Sequence, residues 1–265
     1  MTFYFHPLRL HFVAQARIHF PNGNPANVLR GVLGATLKRI ASAETYARIF
    51  EPKSQGGPSG LADPPRPFVF RARHLDGLRI APGEAFHFDM NVFDVRGDTV
   101  SCFLQVFAEF AAAKLQRVDR ASEPQPVCLD PAMTPVSKVS IEFLTPTELK
   151  SKDQIVARPD FPILFGRIRD RVSTLSALYG SGPLPIDFAE TSERAARVRL
   201  ARCDIRAVSA QRRSGRTGQT HPIGGFIGSA EYEGELAEFL PYLEVARWTG
   251  VGRQTVWGKG EIRLS

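Results

Sequence analysis

The residues best suited to chemistry lie in WTGVGRQTVWGKGEIRL (248–264), where Gly250, Gly252, Gly258 and Gly260 flank Arg253, Gln254 and Lys259. Glycine lets backbone amides approach a phosphate closely, and the cations neutralise it. Neither standard nucleotide loop is present. Thr255 stands where the third glycine of G-x-G-x-x-G belongs, and no Gly-Lys-Ser/Thr follows a strand. A hairpin punctuated by glycine accounts for any one pair; two pairs around three polar or basic residues point to an RNA backbone. A second segment, RRSGRTGQTHPIGGFIG (212–228), brings Arg212, Arg213, Arg216, Gln219 and His221 into a glycine-rich connection. A histidine beside a proline is usually structural. Here the surrounding cations favour its neutral form, which would poise it as a base or an acid.

Charge is concentrated in the same region. Eight arginines and one acid, Asp204, lie between Arg194 and Arg216, a sum of +7 that equals the net charge of the chain. Guanidinium binds two phosphate oxygens at once, so arginine without lysine favours phosphate, with Arg202 central to the run. The competing reading is an edge strand protected by charge.

The elements that must position these groups follow from periodicity. Leu8–Phe20 alternates as a half-buried strand. PNGNP follows, with Asn24 as helix cap and Pro25 at the first helical position. NVLRGVLGATLKRIA then has helical spacing, interrupted by Gly31 and Gly34, which close packing or a ligand must require. Residues 51–67 form a loop by composition. Strands are expected at Phe68–Ala72 and Glu84–Phe93, a helix at Thr99–Val118, and a linker over 119–135. The second half repeats the order. A strand at Val136–Leu144 is followed by a helix at Phe161–Tyr179 and an arginine-lined strand at Arg197–Val208, bulged near Arg202. A strand at Gly225–Glu233, a helix at Glu235–Arg247 and a last strand at Val256–Leu264 complete it. Both halves read as βαββαβ, so an α+β fold of two tandem ferredoxin-like (RRM-like) domains is expected, 1–135 and 136–265. A sheet with both helices on one face leaves the other open, and RNA modules commonly use that face.

Bulk properties exclude other classes. With 43% hydrophobic and 23% charged residues the chain is globular in composition rather than disordered. No apolar run reaches the roughly 18 residues of a membrane span, and MTFYFHPLRLHF lacks the unbroken apolar stretch of a signal peptide. A cytoplasmic protein without a membrane partner is expected. Cys102, Cys128 and Cys203 are odd in number and form no C-x-x-C pair, so buried free thiols are expected, with no metal and no small-molecule cofactor.

GGFIGSAEYEGELAEFLPYL, leading into GVGRQTVWGKGEI, resembles the C-terminal half of CRISPR-associated repeat-processing endoribonucleases of the RAMP superfamily, whose shared mark is a terminal glycine-rich loop. NVLRGVLGATLKRI and TYARIFEP resemble the N-terminal half of the same family. The resemblance implies metal-independent cleavage of CRISPR repeat RNA, a hairpin read by phosphates and shape. The ribose 2′-hydroxyl attacks the adjacent phosphate, leaving a 2′,3′-cyclic phosphate and a 5′-hydroxyl. It also implies retention of the guide RNA and partnership with other CRISPR effector subunits. This chain departs from the pattern in one place. Relatives often place a catalytic His on the first helix; here that helix carries Arg30, Lys38 and Arg39, and Ala35 stands where the His is sought. Three readings stay open. Arg30, Lys38 and Arg39 act by charge, with Tyr46; a His from elsewhere, His19 or His221, enters the site; or cutting is lost and the protein binds and caps the guide. Divergent class 1 systems, type IV included, would accommodate such a site.

Overall fold

A computed structural model describes residues 1–52, 64–120, 123–152, 154–209, 211–213, 220–222 and 224–265. Two sheets of the same topology carry the fold. The first is built from β1 (Thr2–Ala14), α1 (Pro25–Ile40), α2 (Ala43–Phe50), β2 (Phe68–Arg71), β3 (Ala85–Val92), α3 (Thr99–Ala108) and β4 (Ala113–Arg120). Its antiparallel order is β2-β3-β1-β4, with β5 (Gln125–Cys128) pairing the start of β1. The second comprises β6 (Lys138–Thr147), α4 (Phe161–Tyr179), α5 (Phe188–Ala195), β7 (Arg199–Val208), β8 (Gly225–Glu233), α6 (Leu240–Thr249) and β9 (Ile262–Leu264), ordered β7-β8-β6-β9. Each is a ferredoxin-like βαββαβ unit, as expected.

Alternation decides which face each strand buries. Leu8, Leu10 and Phe12 of β1 face the helices, and Phe12 lies 5.3 and 5.4 Å from the Phe86 and Phe88 rings. Phe70 and Phe107 close this layer edge-on. Such pairs contribute about 0.5–1.5 kcal/mol each beyond burial. The two cores are not self-contained. Phe3 and Phe5 of β1 pack in the core of the second unit, while Val256 packs in that of the first.

Several expectations need correction. The helix expected over Thr99–Val118 ends at Ala108, and 113–120 form β4. Leu115 and Val118 are three apart, a helical spacing, because Gln116 is an extra residue in a β-bulge; Leu115 thus opposes Phe12 and Val118 opposes Leu10. The expected linker over 119–135 includes the end of β4 and all of β5. The last strand is confined to 262–264. Thr255–Trp257 is a 3₁₀ turn between Gln254 and Gly258, both left-handed. Helix α6 starts at Leu240 rather than Glu235. The bulge beside Arg202 is present, between Leu200 and Arg202. The cysteines are free, but only Cys102 is buried. Among the described residues, no helix is long and apolar enough to cross a membrane.

Candidate nucleic-acid interface

The glycine-rich segment folds against the N-terminus of α1, so the seam between the units gathers much of the chemistry seen in sequence. Its glycines have internal reasons. A Cβ on Gly260 would sit 1.9 Å from the Val251 carbonyl oxygen, and one on Gly252 2.3 Å from that of Glu148, both at positive φ. Gly258 approaches α1 closely enough that its Cβ would stand 3.0 Å from Ala26 Cβ. Lys259 does not face solvent. It is 3% exposed, and its ammonium donates to the Gly23 carbonyl at 2.7 Å, tying the loop to the residues before α1. Burial lowers its pKa. Expected to meet phosphate, Lys259 instead staples the seam. Arg253 is half exposed and donates to Glu148 at 2.5 Å, which offsets part of its charge. Gln254 occupies the left-handed region at φ 64°.

Helix α1 presents its cations unevenly. The Arg30 guanidinium lies 4.5 Å from the Phe50 ring centre and 5.3 Å from that of Trp257, held between α2 and the glycine-rich loop. Cation–π contacts of this kind contribute about 0.5–2 kcal/mol. Gly31, Ala35 and Lys38 form an exposed stripe at i, i+4 and i+7 beside it. Arg39 pairs with Glu109, the residue that caps the C-terminus of α3, and so is anchored to that element. Tyr46 packs against Phe50, ring centres 5.5 Å apart. His19 lies in a two-residue strand paired with Arg79. Trp257 is the partner of Arg30 that no sequence pattern signals, because most of the chain separates the two.

The arginine run is more neutralised than its sequence suggests. β7 is an edge strand, and register places Arg202 opposite Glu231 and Arg199 opposite Glu233, with which Arg199 pairs. Arg194 pairs with Glu190 and Glu238. Arg206 is exposed opposite Ile227. Arg212, Arg213 and His221 lie on a small hairpin, with Arg212 facing His221 in register. Arg216 and Gln219 fall outside the described residues.

Behind the seam, the C-terminal carbonyls of α6 are capped from both units. Arg71 of β2 donates to the carbonyls of Arg247 and Trp248 at 2.9 and 3.1 Å, and Asn91 of β3 donates to that of Trp248 at 2.9 Å. Arg171 of α4 donates to the Thr249 carbonyl at 3.0 Å. Burial, reinforced by Arg71, brings the Arg171 pKa down to about 9. Cations belong at a helix C-terminus, and here they lock the two halves together.

Comparison with known proteins agrees with a fold of two ferredoxin-like units. Residues 141–262 match the family model of the CRISPR-associated endoribonuclease Cas6, and residues 3–129 match a second model described as an N-terminal domain. The second half of the chain thus matches the Cas6 family model, and the fold as a whole is similar to that of solved Cas6 structures. In structure it is similar to a Cas6 product complex, at 20% identity over 99% of each chain with a TM-score of 0.66. A Thermus thermophilus Cas6 is similar at 19% identity, over 99% of this chain and 98% of that one, with a TM-score of 0.59. A chain of a partial Cas6-RT-Cas1–Cas2 complex matches 99% of this chain over 46% of its own, at 13% identity and a TM-score of 0.64. No curated protein matches in sequence.

Proposed function

We propose that the chain binds CRISPR repeat RNA across the seam of α1 and the glycine-rich loop and cuts it without a metal. The 2′-hydroxyl attacks the neighbouring phosphate, producing a 2′,3′-cyclic phosphate and a 5′-hydroxyl, and the product stays bound. The observation that carries this reading is Arg30, a guanidinium held between Phe50 and Trp257 where the units meet. A fixed cation stabilises a developing phosphorane without reorganising during the reaction. Lys38 adds charge from the exposed stripe, and Arg39 holds α1 through Glu109. Arg202, Arg212, Arg213, Arg216, Gln219, Arg253 and Gln254, with the backbone at Gly250 and Gly252, would track the RNA, and His221 would supply proton transfer. Domains 1–135 and 136–265 would each contribute one wall, with other CRISPR effector subunits joining the complex.

A second reading is a non-catalytic subunit that caps the guide. It is favoured by the absence of any histidine in PANVLRGVLGATLKRI. Incubation with labelled repeat RNA in EDTA separates the two. A discrete cut ending in a cyclic phosphate supports the enzyme, and Arg30→Met should slow it about 100-fold while binding survives. Tight binding without cutting supports the cap.

A further inference from the structure

The face of the first sheet turned away from its helices carries a group of rings that the seam does not use. His11 of β1 and His87 of β3 are directly opposed in register on the two central strands. Their ring centres are 5.6 Å apart. His74, from the 3₁₀ turn Arg73–Leu75, stacks on His87 at 4.5 Å and 21°. The neighbouring residues Leu10, Phe12, Phe86 and Phe88 are buried on the helix side, so the imidazoles lie on the open side. His11 is hydrogen bonded to Asp119 at 2.8 Å, and His74 to the His87 carbonyl at 2.9 Å. These bonds fix both rings. Arg9, bonded to Asp89, and Arg117, bonded to Asp119, border them.

Central-strand aromatics on the open face of a βαββαβ sheet are where RNA-recognition modules stack bases. We infer that His11, His74 and His87 form a stacking platform for one or two unpaired nucleobases of the RNA held at the seam, an inference that rests on the RNA reading above. The rings are prepared for that use. Burial, with His74 and Arg9 nearby, lowers the His87 pKa, which keeps the middle ring neutral. Among the described residues, no three His, Cys, Asp or Glu side chains are disposed to hold a metal ion. Platform and seam are physically continuous. Asp76 accepts from the Gly23 amide at 2.6 Å, next to the carbonyl that holds Lys259, and Arg73 stands 3.9 Å from Glu261 beyond the glycine-rich loop. A strand leaving the seam therefore meets His74 first.

The test compares binding of the native protein to repeat RNA with an unpaired flank and to the same RNA with abasic nucleotides in that flank. Removing the bases should weaken binding about tenfold. The double variant His11→Ala/His87→Ala should show that loss with the intact flank and no further loss with the abasic one. His11→Phe/His87→Phe, which keeps two stacking faces, should bind like the native protein. Equal affinity of the native protein for the two RNAs overturns the platform, as does a phenylalanine variant as weak as the alanine one. Binding insensitive to the flank removes the platform alone; failure to bind either RNA removes the RNA reading itself. The abasic comparison needs no variant, so it decides even if the substitutions unfold the sheet.

Discussion

A cation contributes to RNA binding according to what already neutralises it. Arg199 is paired with Glu233 and Arg253 with Glu148, whereas Arg206 is exposed opposite an isoleucine. Each phosphate neutralised adds about 0.7 to the slope of log affinity against log salt on single-stranded RNA. Arg206→Ala should therefore reduce that slope by about 0.7, and Arg199→Ala by clearly less, in anisotropy titrations across salt. An equal reduction would mean that RNA displaces Glu233. The residue scale is also where sequence was least informative. Lys259 and Arg253 are both cations among glycines, yet one points inward to Gly23 and the other pairs with Glu148. Only the tertiary fold decides which cations remain for phosphate.

At the scale of elements, α1 contains two glycines with opposite roles. A Cβ on Gly34 would lie 2.4 Å from Phe50, whereas one on Gly31 would meet nothing within 4 Å. Gly34→Ala should destabilise by about 1–3 kcal/mol through overpacking. Gly31→Ala should stabilise by about 0.5–1 kcal/mol, because alanine orders a helix better. Denaturant midpoints of the two variants check the signs. Elements with unbroken periodicity were legible: α4 and β8 fall where spacing placed them. Element β4 was not, because a bulge at Gln116 gave a strand the spacing of a helix. Nor was the end of the chain, where positive φ at Gly258 and Gly260 turns an apparent strand into a loop. The seam of α1 and the glycine-rich loop was foreseen in its parts. The contacts of Arg30 with Phe50 and Trp257 join the consecutive helices α1 and α2 to the far glycine-rich loop, so no local pattern announces them.

For the whole molecule, buried phenols set the alkaline limit. The Tyr232 hydroxyl donates to the Pro159 carbonyl at 2.7 Å, that of Tyr179 to Pro65 at 3.0 Å, and burial raises both pKa values above the usual 10. The unfolded chain therefore ionises these groups first. Their contribution is complete below pH 10 and is lost as pH rises above it, by at most about 1.4 kcal/mol per pH unit for each group. Tyr232→Phe should lower stability at pH 7 by about 1–3 kcal/mol, since the Pro159 carbonyl loses its donor, and should flatten the alkaline decline. Unfolding measured from pH 7 to 11 on both proteins isolates the phenol from Lys259 and Arg171, whose depressed pKa values act in the opposite sense. The bond from Lys259 to Gly23 spans 236 positions. During translation, the first unit emerges from the ribosome while its core still lacks Val256 and its seam still lacks the lysine. A nascent chain thus leaves the start of α1 uncovered until residues 256–259 have been made.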